Sequence, residues 1–354
     1  MRALCFFLSL ILIPVTLFLA LLSLLGLSAA YISPAVFAFP AFINLFLPIL
    51  LIINFVLLIY WIVRKSRWAF VPVISILLHF NYILSVFQFN VRPDSSDEKN
   101  IRIATYNVGS FRSWEKKDTQ LEIAQYIHDQ HTDIACFQEY KSIPGLPEEK
   151  LSELMGLPYH AISYLGQYGY ASYGAAIFSR YPVIAYQKID IPSETNDAMW
   201  ADLKIGNDTV RVFNCHLQTT NFSRNQKHLR QQLQDRDFNP KIIFSIYSGL
   251  KQSFRQRAAQ AEIVRQQIDQ SPYPVIVCGD FNDPPLSYTY HTIKGKLIDS
   301  FRESGQGYGY TFRGIRKILR IDFILYSPSF KGSQYQSPLK FWSDHKPVFT
   351  DLSL

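Results

Sequence analysis

Acidic residues are absent from the first ninety positions of this 354-residue chain, and no charge of either sign occurs between Ala3 and Val63. Charge is missing again from Trp68 to Val91, after the basic interruption Arg64, Lys65 and Arg67. Such runs exclude an ordinary soluble domain for this part, since about a quarter of the residues in soluble domains are charged. Cysteine is sparse too, with Cys5 in an apolar stretch and Cys136, Cys215 and Cys278 each closing a β-like run. Three thiols in the polar part cannot all pair, which excludes a disulfide framework, and each reads as a small buried hydrophobe. No Cys/His spacing suits zinc, and no internal repeat or low-complexity tract is present.

What the first 91 residues do have is length of apolar run. About 20 apolar residues cross the hydrocarbon core as a helix, and three such stretches occur, at about 4–27, 42–63 and 68–89, with a break around Pro34 and Pro40. The first far exceeds the apolar region of a cleaved signal peptide, about 7–15 residues, and is expected to be a retained helix. His79 and Asn81 in the third are expected to make helix–helix contacts. The loop of Arg64, Lys65 and Arg67 should face the cytoplasm, and Arg2 agrees with it. Three crossings then put the rest of the chain outside, in the periplasm or the extracellular space. These four residues supply four of the seven net positive charges, so the basic pI is mainly a topology signal and a weak nucleic-acid one.

Residues 92–100 (RPDSSDEKN) form a charged linker, and 101–354 read as one catalytic domain. Ile101–Asn107 alternates with period two and predicts a strand; Asp118 is placed to cap a helix carrying Leu121, Ala124 and Ile127. Further strands are predicted at Ile134–Phe137, Ala175–Phe178, Met199–Ile205, Thr209–Cys215, Val275–Cys278, Ile321–Leu325 and Val348–Leu352. A Gly-Asn-Asp hairpin at Gly206–Asp208 joins two of them, and a long helix covers Pro240–Ile268. The class is α+β, two stacked sheets covered by helices.

Polar residues recur where these strands end: Asn107, Gln138-Glu139, Asn214 and His216, Asp280 and Asn282, Asp322, and Ser343-Asp344-His345. Six such ends imply a common rim, the usual way a rigid scaffold aims catalytic groups. Mg²⁺ takes oxygen ligands and few protein carboxylates, which suits Glu139 beside Asn107. A carboxylate such as Asp280 can orient or deprotonate water, and His345 held by Asp322 can bind a phosphoryl oxygen or supply a proton. Arg320 ends the basic run Arg313, Arg316, Lys317 and Arg320 and, with Asn214, is expected to bind substrate. Residues 221–270 hold nine Lys/Arg against four acids, a candidate positive rim for a polyanion or anionic lipid headgroups.

TYN at 105–107, QE at 138–139, GDFN at 279–282, RIDFIL at 320–325 and SDHKPV at 343–348 together resemble the endonuclease/exonuclease/phosphatase superfamily, over roughly Ile101–Leu354. The resemblance implies a four-layer α/β/β/α sandwich and Mg²⁺ (with Mn²⁺ as the alternative) bound mainly by Glu139, with Asn107 and Asp344 beside it. It implies that Asp280 aligns or activates water, Asn282 contacts the phosphoryl oxygen, and His345 stabilises the transition state, paired with Asp322. His216 matches a second family histidine that protonates the leaving group, and Tyr173 a position near the phosphate. Tyr106 stands where the family often has Trp, and Gly109 where some nucleases have an acid at the metal, which disfavours a two-metal site.

The expected function is membrane-anchored, Mg²⁺-dependent phosphoester hydrolysis, a phosphodiesterase of nuclease or phospholipid type. The substrate is a nucleic acid, a phospholipid or a phosphorylated small molecule; the lipid bilayer is the other partner, and no protein partner is implied. A phosphomonoesterase on soluble molecules and a silent membrane-tethered binding module are the alternatives. Silence would show at Glu139, Asp280 or His345, and all three are present.

Overall fold

The computed structural model describes residues 2–90, 100–112, 118–142, 146–168, 171–220, 240–314 and 317–354. The expected linker falls almost wholly outside these residues, as do Arg316 and the basic residues of 221–239.

The uncharged first part folds into helices because nothing in it competes with backbone hydrogen bonding in an apolar surrounding. Helix α1 spans Arg2–Leu27 and α2 spans Phe39–Val63, with Pro40 at the start of α2, where a missing N–H costs nothing. Both are long and apolar enough to cross a membrane. Their outward side chains, among them Phe18, Leu21, Ile52 and Val56, lie bare. The third apolar stretch differs from the single helix expected at 68–89. Helix α3 (Phe70–Leu78) and helix α4 (Phe80–Val86) meet at a bend of 54°, so this stretch is a third span only when the bent pair counts as one.

The bend falls at His79, whose Nδ1 lies 2.7 Å from the Ser75 carbonyl and whose Nε2 lies 3.0 Å from the Ser23 carbonyl. With the Ser23–Ser75 hydroxyl pair at 2.7 Å, it ties the bent segment to α1. Residues Phe87–Phe89 leave the helix altogether and form strand β1.

The rest of the chain follows in the order β2 (Ile101–Asn107), α5 (Gln120–Asp129), β3 (Ile134–Ser142), α6 (Glu148–Met155), β4 (Tyr159–Tyr168), β5 (Ala171–Ser179), β6 (Val183–Ile189), β7 (Ala198–Ile205) and β8 (Asp208–His216). It continues with α7 (Pro240–Asp269), β9 (Val275–Asp280), α8 (Tyr288–Lys294), β10 (Ile298–Asp299), α9 (Ser300–Ser304), β11 (Gln306–Tyr308), β12 (Asp322–Tyr326), β13 (Lys331–Gln336) and β14 (Val348–Ser353). One six-stranded sheet has the order β13-β14-β2-β3-β5-β4 and the other β10-β12-β9-β8-β7-β6.

Alternation along each strand sends one residue inward and the next outward. Ile103, Cys136 and Ile177 of the first sheet meet Val212, Cys278 and Ile324 of the second in the central core. On the outer faces, Phe213, Val277 and Phe323 pack under Ala261, Val264 and Ile268 of α7, while Tyr106 and Phe137 pack under Ile123 and Ile127 of α5. Each such fully buried side chain contributes about 1.5–3 kcal/mol. The result is the four-layer α/β/β/α sandwich expected. The three thiols of this part are buried and unpaired by disulfides.

Two parallel pairs, β2–β3 and β8–β9, lie inside their sheets and end level, with Asn107 beside Gln138 and His216 beside Asp280. Antiparallel β12 begins where β9 stops, so that Asp322 faces Asp280. These registers bring the polar strand ends to one rim. Gly279 makes the β8–β9 approach possible: its φ is +146°, and a Cβ there would lie 1.9 Å from the Cys215 carbonyl oxygen.

Candidate active site

Asn107, the last residue of β2, is buried at the centre of the rim. Its Nδ2 donates to Glu139 Oε1 at 3.1 Å and to Asp280 Oδ2 at 3.0 Å, while its Oδ1 accepts from the Gly109 N–H. Glu139 reaches this point through a bulge. The β3–β5 register shifts between Phe137 and Tyr140, and Glu139 adopts a left-handed φ of 51°. A bulge of this kind re-aims one side chain at a strand end, and the backbone strain it stores is typical of functional sites. The neighbouring Gln138 turns inward instead, to Thr105 and Asn214.

His345 lies between two carboxylates. Its Nδ1 is 3.0–3.1 Å from both Asp322 oxygens, and its Nε2 is 3.6 Å from Asp280 Oδ2. Burial alone would lower the imidazole's pKa, but Asp322 and Asp280 outweigh it and raise it well above its ordinary value, which favours the charged ring. Burial raises the Asp280 carboxyl to about 6, with His345 pulling it down and Asp322 pushing it up. His216 Nε2 lies 3.7 Å from Glu139 and 4.0 Å from Asp280, completing the ring. Asn282, with φ 52°, donates its backbone N–H to Asp280 Oδ1 and its amide to the Leu217 carbonyl.

Asp344 belongs to the loop before β14. Ser343 Oγ donates to the Asn107 carbonyl at 2.7 Å, and a Cβ on Gly109 would come within 4.0 Å of Asp344 Oδ1. Arg313 fastens this loop through the Lys340 and Ser343 carbonyls and the Asp344 backbone. Tyr173 pairs with Lys141 in the β3–β5 ladder, beyond the Glu139 bulge, and its ring lies under the Lys141 ammonium.

Two expected substrate residues are not at the site. Asn214 is wholly buried between the sheets: its amide donates to the Phe137 and Ala176 carbonyls and its oxygen accepts from Gln138. Every polar side-chain atom is used within the protein, so it ties the sheets together. Arg320 is buried as well, held by both Asp299 oxygens and stacked over Phe301 and Phe323. Of the basic stretch where described, Arg257 is buried and serves Asp283 and the Gln218 carbonyl, Arg265 serves Asp269 and the Ile293 carbonyl, and Arg255 is exposed.

Asn196 and Asp197 were not singled out by sequence. Asn196 Nδ2 lies 3.1 Å from His216 Nε2, and the Asp197 carbonyl accepts the His216 N–H. Burial raises the Asp197 carboxyl to about 6, with His216 pulling it down. Both precede β7, whereas the search followed polar residues after strands; Asn-Asp before the apolar AMWADL is the signal that marks them.

Oxygen donors without thiolate suit Mg²⁺ or Mn²⁺. Glu139, half-exposed, offers such a donor, and the Asn107 amide stands between the Glu139 and Asp280 carboxylates where positive charge is favoured; Asp344 follows Ser343, whose hydroxyl bonds the Asn107 carbonyl. Ligand-type atoms of Asp280, Asp322 and His345 also lie within 4.8 Å of one another. In that group both oxygens of Asp322 already face the charged His345 ring.

A family model described as the endonuclease/exonuclease/phosphatase family matches residues 104–345, and one described as a domain of unknown function (DUF8431) matches residues 7–86. No curated protein matches the sequence. Among solved structures, an endonuclease/exonuclease/phosphatase from Beutenbergia cavernae is similar at 17% identity and TM-score 0.53, covering 72% of each chain. A family protein from Bacteroides thetaiotaomicron is similar at 18% identity and TM-score 0.51, covering 73% of this chain and 96% of that one. The human nocturnin catalytic domain is similar at 19% identity and TM-score 0.50, covering 72% and 93%. At these identities the likeness is one of fold.

Proposed function

The chain belongs to the endonuclease/exonuclease/phosphatase family, and from that premise we propose that it is a membrane-anchored, divalent-metal-dependent phosphoester hydrolase, of phosphodiesterase type. The observation that carries the reading is the closed set of Asn107, Glu139, Asp280, His345 and Asp322 on one rim, with a cationic imidazole next to a buried carboxylate.

Glu139, with Asn107 and Asp344, would hold Mg²⁺, and Mn²⁺ has the same donor preference. When bound, the ion offsets the charge that builds on the phosphoryl and leaving-group oxygens. Asp280, ionised above about pH 6, takes a proton from the attacking water. Asn107 Nδ2 and His345 fix the orientation of that carboxylate. His345, kept charged by Asp322, donates toward a non-bridging phosphoryl oxygen, and Asn282 contacts another. His216, whose backbone N–H is held by the Asp197 carbonyl, gives the leaving oxygen its proton. Tyr173 lines the phosphate end of the rim.

The catalytic domain is assigned to the outer side of the membrane. It packs at the Phe42 end of α2, through Tyr247 and Phe254, while Arg64, Lys65 and Arg67 lie beyond the other end. A basic loop on the cytoplasmic side then leaves the catalytic domain outside.

The test is a substrate panel of DNA, RNA, phospholipid vesicles and phosphorylated small molecules, given to the full chain in lipid nanodiscs with Mg²⁺. Asp280→Asn and His345→Ala should each abolish turnover of whichever substrate is cleaved, with the fold intact. Wild-type turnover in the double variant would overturn the assignment.

A further inference from the structure

Three segments that leave the catalytic rim are the ones that grip the membrane helices. Leu286, four residues after Asn282, is buried with Ala30, Leu47 and Tyr82 of the helical part. Strand β11 pairs antiparallel with β1, and the Gly309 N–H donates to the Val86 carbonyl at the end of α4. Two residues on, the Thr311 hydroxyl accepts from the backbone N–H groups of Ile321 and Asp322, and the Thr311 carbonyl accepts from Lys346, next to His345.

The third segment is α7. Ser253 and Arg257 bond the Thr219 and Gln218 carbonyls just after His216, while Phe254 and Tyr247 pack on Phe42 of α2 and Arg255 reaches the Pro34 carbonyl. One turn before Tyr247, Phe244 is 72% exposed. In the loop that delivers Asp344 and His345, Leu339 and Phe341 are exposed on either side of Lys340. Segments that carry or support rim residues are therefore fastened directly to the helical part.

Resting on the hydrolase reading above, we infer that the substrate is a phosphoester of a lipid resident in the same membrane, reached sideways from the outer leaflet. Among the described residues, Arg257, Arg265 and Arg320 are cations a nucleic-acid groove could have used, and they serve the protein's own carboxylates and carbonyls. Base-stacking and backbone tracking need a cationic groove with aromatics interleaved, whereas an apolar lip with a few cations suits headgroups lying on acyl chains. Water adds to phosphorus, the bond from phosphorus to the ester oxygen breaks, and the proton from water ends on the leaving oxygen.

The experiment reconstitutes the full chain with Mg²⁺ into vesicles of phosphatidylethanolamine, phosphatidylglycerol and phosphatidic acid. It follows loss of each lipid in the enzyme's own vesicles and in a separate, isotopically marked population without enzyme. The deacylated headgroup esters and two nitrophenyl phosphoesters are assayed in parallel. The inference expects at least one lipid to be cleaved at least ten times faster in the enzyme's own vesicles than in the separate ones or as its deacylated counterpart. Equal rates on the two vesicle populations, or a deacylated ester cleaved as fast as its lipid, would overturn it. Turnover of nitrophenyl esters with no lipid cleaved would overturn it too, leaving the hydrolase reading intact. No turnover of anything would overturn both.

Discussion

The imidazole of His345 is held by Asp322 at 3.0 Å through Nδ1 and faces Asp280 at 3.6 Å through Nε2. Asp322 is therefore a positioning residue that acts through His345. Asp322→Asn keeps the shape and removes the counter-charge, so His345 should lose its proton at lower pH. Turnover should fall by about 10²–10⁴-fold, the range for a lost proton-transfer partner, and the alkaline limb of the pH–rate profile should move toward neutrality. A profile with that limb in place would show that the pair is only structural.

The acid limb should report Asp280. Its carboxyl is raised to about 6 by burial, and it works as a base only when ionised, so activity should rise with pH through about 6. Raising Mg²⁺ should move this limb to lower pH, because a cation beside Glu139 favours the charged form of its neighbour. A rate independent of pH between 5 and 8, on the order of the range probed by such carboxylates and histidines, would argue against Asp280 as the base.

Arg320 should matter for stability and leave substrate binding alone. Burial alone would raise the Asp299 carboxyl, but the Arg320 guanidinium and the Tyr290 hydroxyl outweigh it and hold it below its ordinary value. With the folded value depressed, this stabilisation is complete above the unfolded value of about 3.9 and is lost as pH falls through the folded one. Asp299→Ala strands a buried guanidinium and should cost about 3–5 kcal/mol, measured by denaturant unfolding. Arg320→Met should lower the melting temperature with KM unchanged below it; a raised KM would return Arg320 to the substrate.

The sequence made the strand ends legible because apolar runs are bounded by polar residues: Asn107, His216 and Asp280 close their strands, Asp322 opens β12 and His345 precedes β14, and the rim they form also holds Glu139 and Asn282. It could not separate rim residues from their neighbours one or two positions away. Asn214 and His216 share the inner face of β8, but Asn214 sits two residues short of the strand end, where it bonds the Phe137 and Ala176 carbonyls of the opposing sheet, while His216 at the last position reaches the rim. Arg320 reads as a loop cation until Asp299, on a two-residue strand too short to show any period, closes on it. The bend at His79 and the pairing of Phe87–Phe89 with β11 depend on partners distant in sequence, so an unbroken apolar run gave no sign of either.

Topology makes a separate prediction. A reporter that works only outside the cytoplasm should be active when fused after Leu354 and inactive at Ser66, in the loop of Arg64 and Arg67. Activity of the Leu354 fusion only inside would mean that α3 and α4 do not together make a span.

The central claim is tested most directly at Glu139. The full chain in nanodiscs is stripped with EDTA and titrated with Mg²⁺, with turnover of a nitrophenyl phosphodiester followed for wild type and Glu139→Gln. The account predicts no turnover after EDTA, full recovery with Mg²⁺, and a Mg²⁺ requirement raised by at least about tenfold in the variant, as when support for a metal is weakened. Turnover that survives EDTA, or a variant with the wild-type Mg²⁺ dependence, would contradict it.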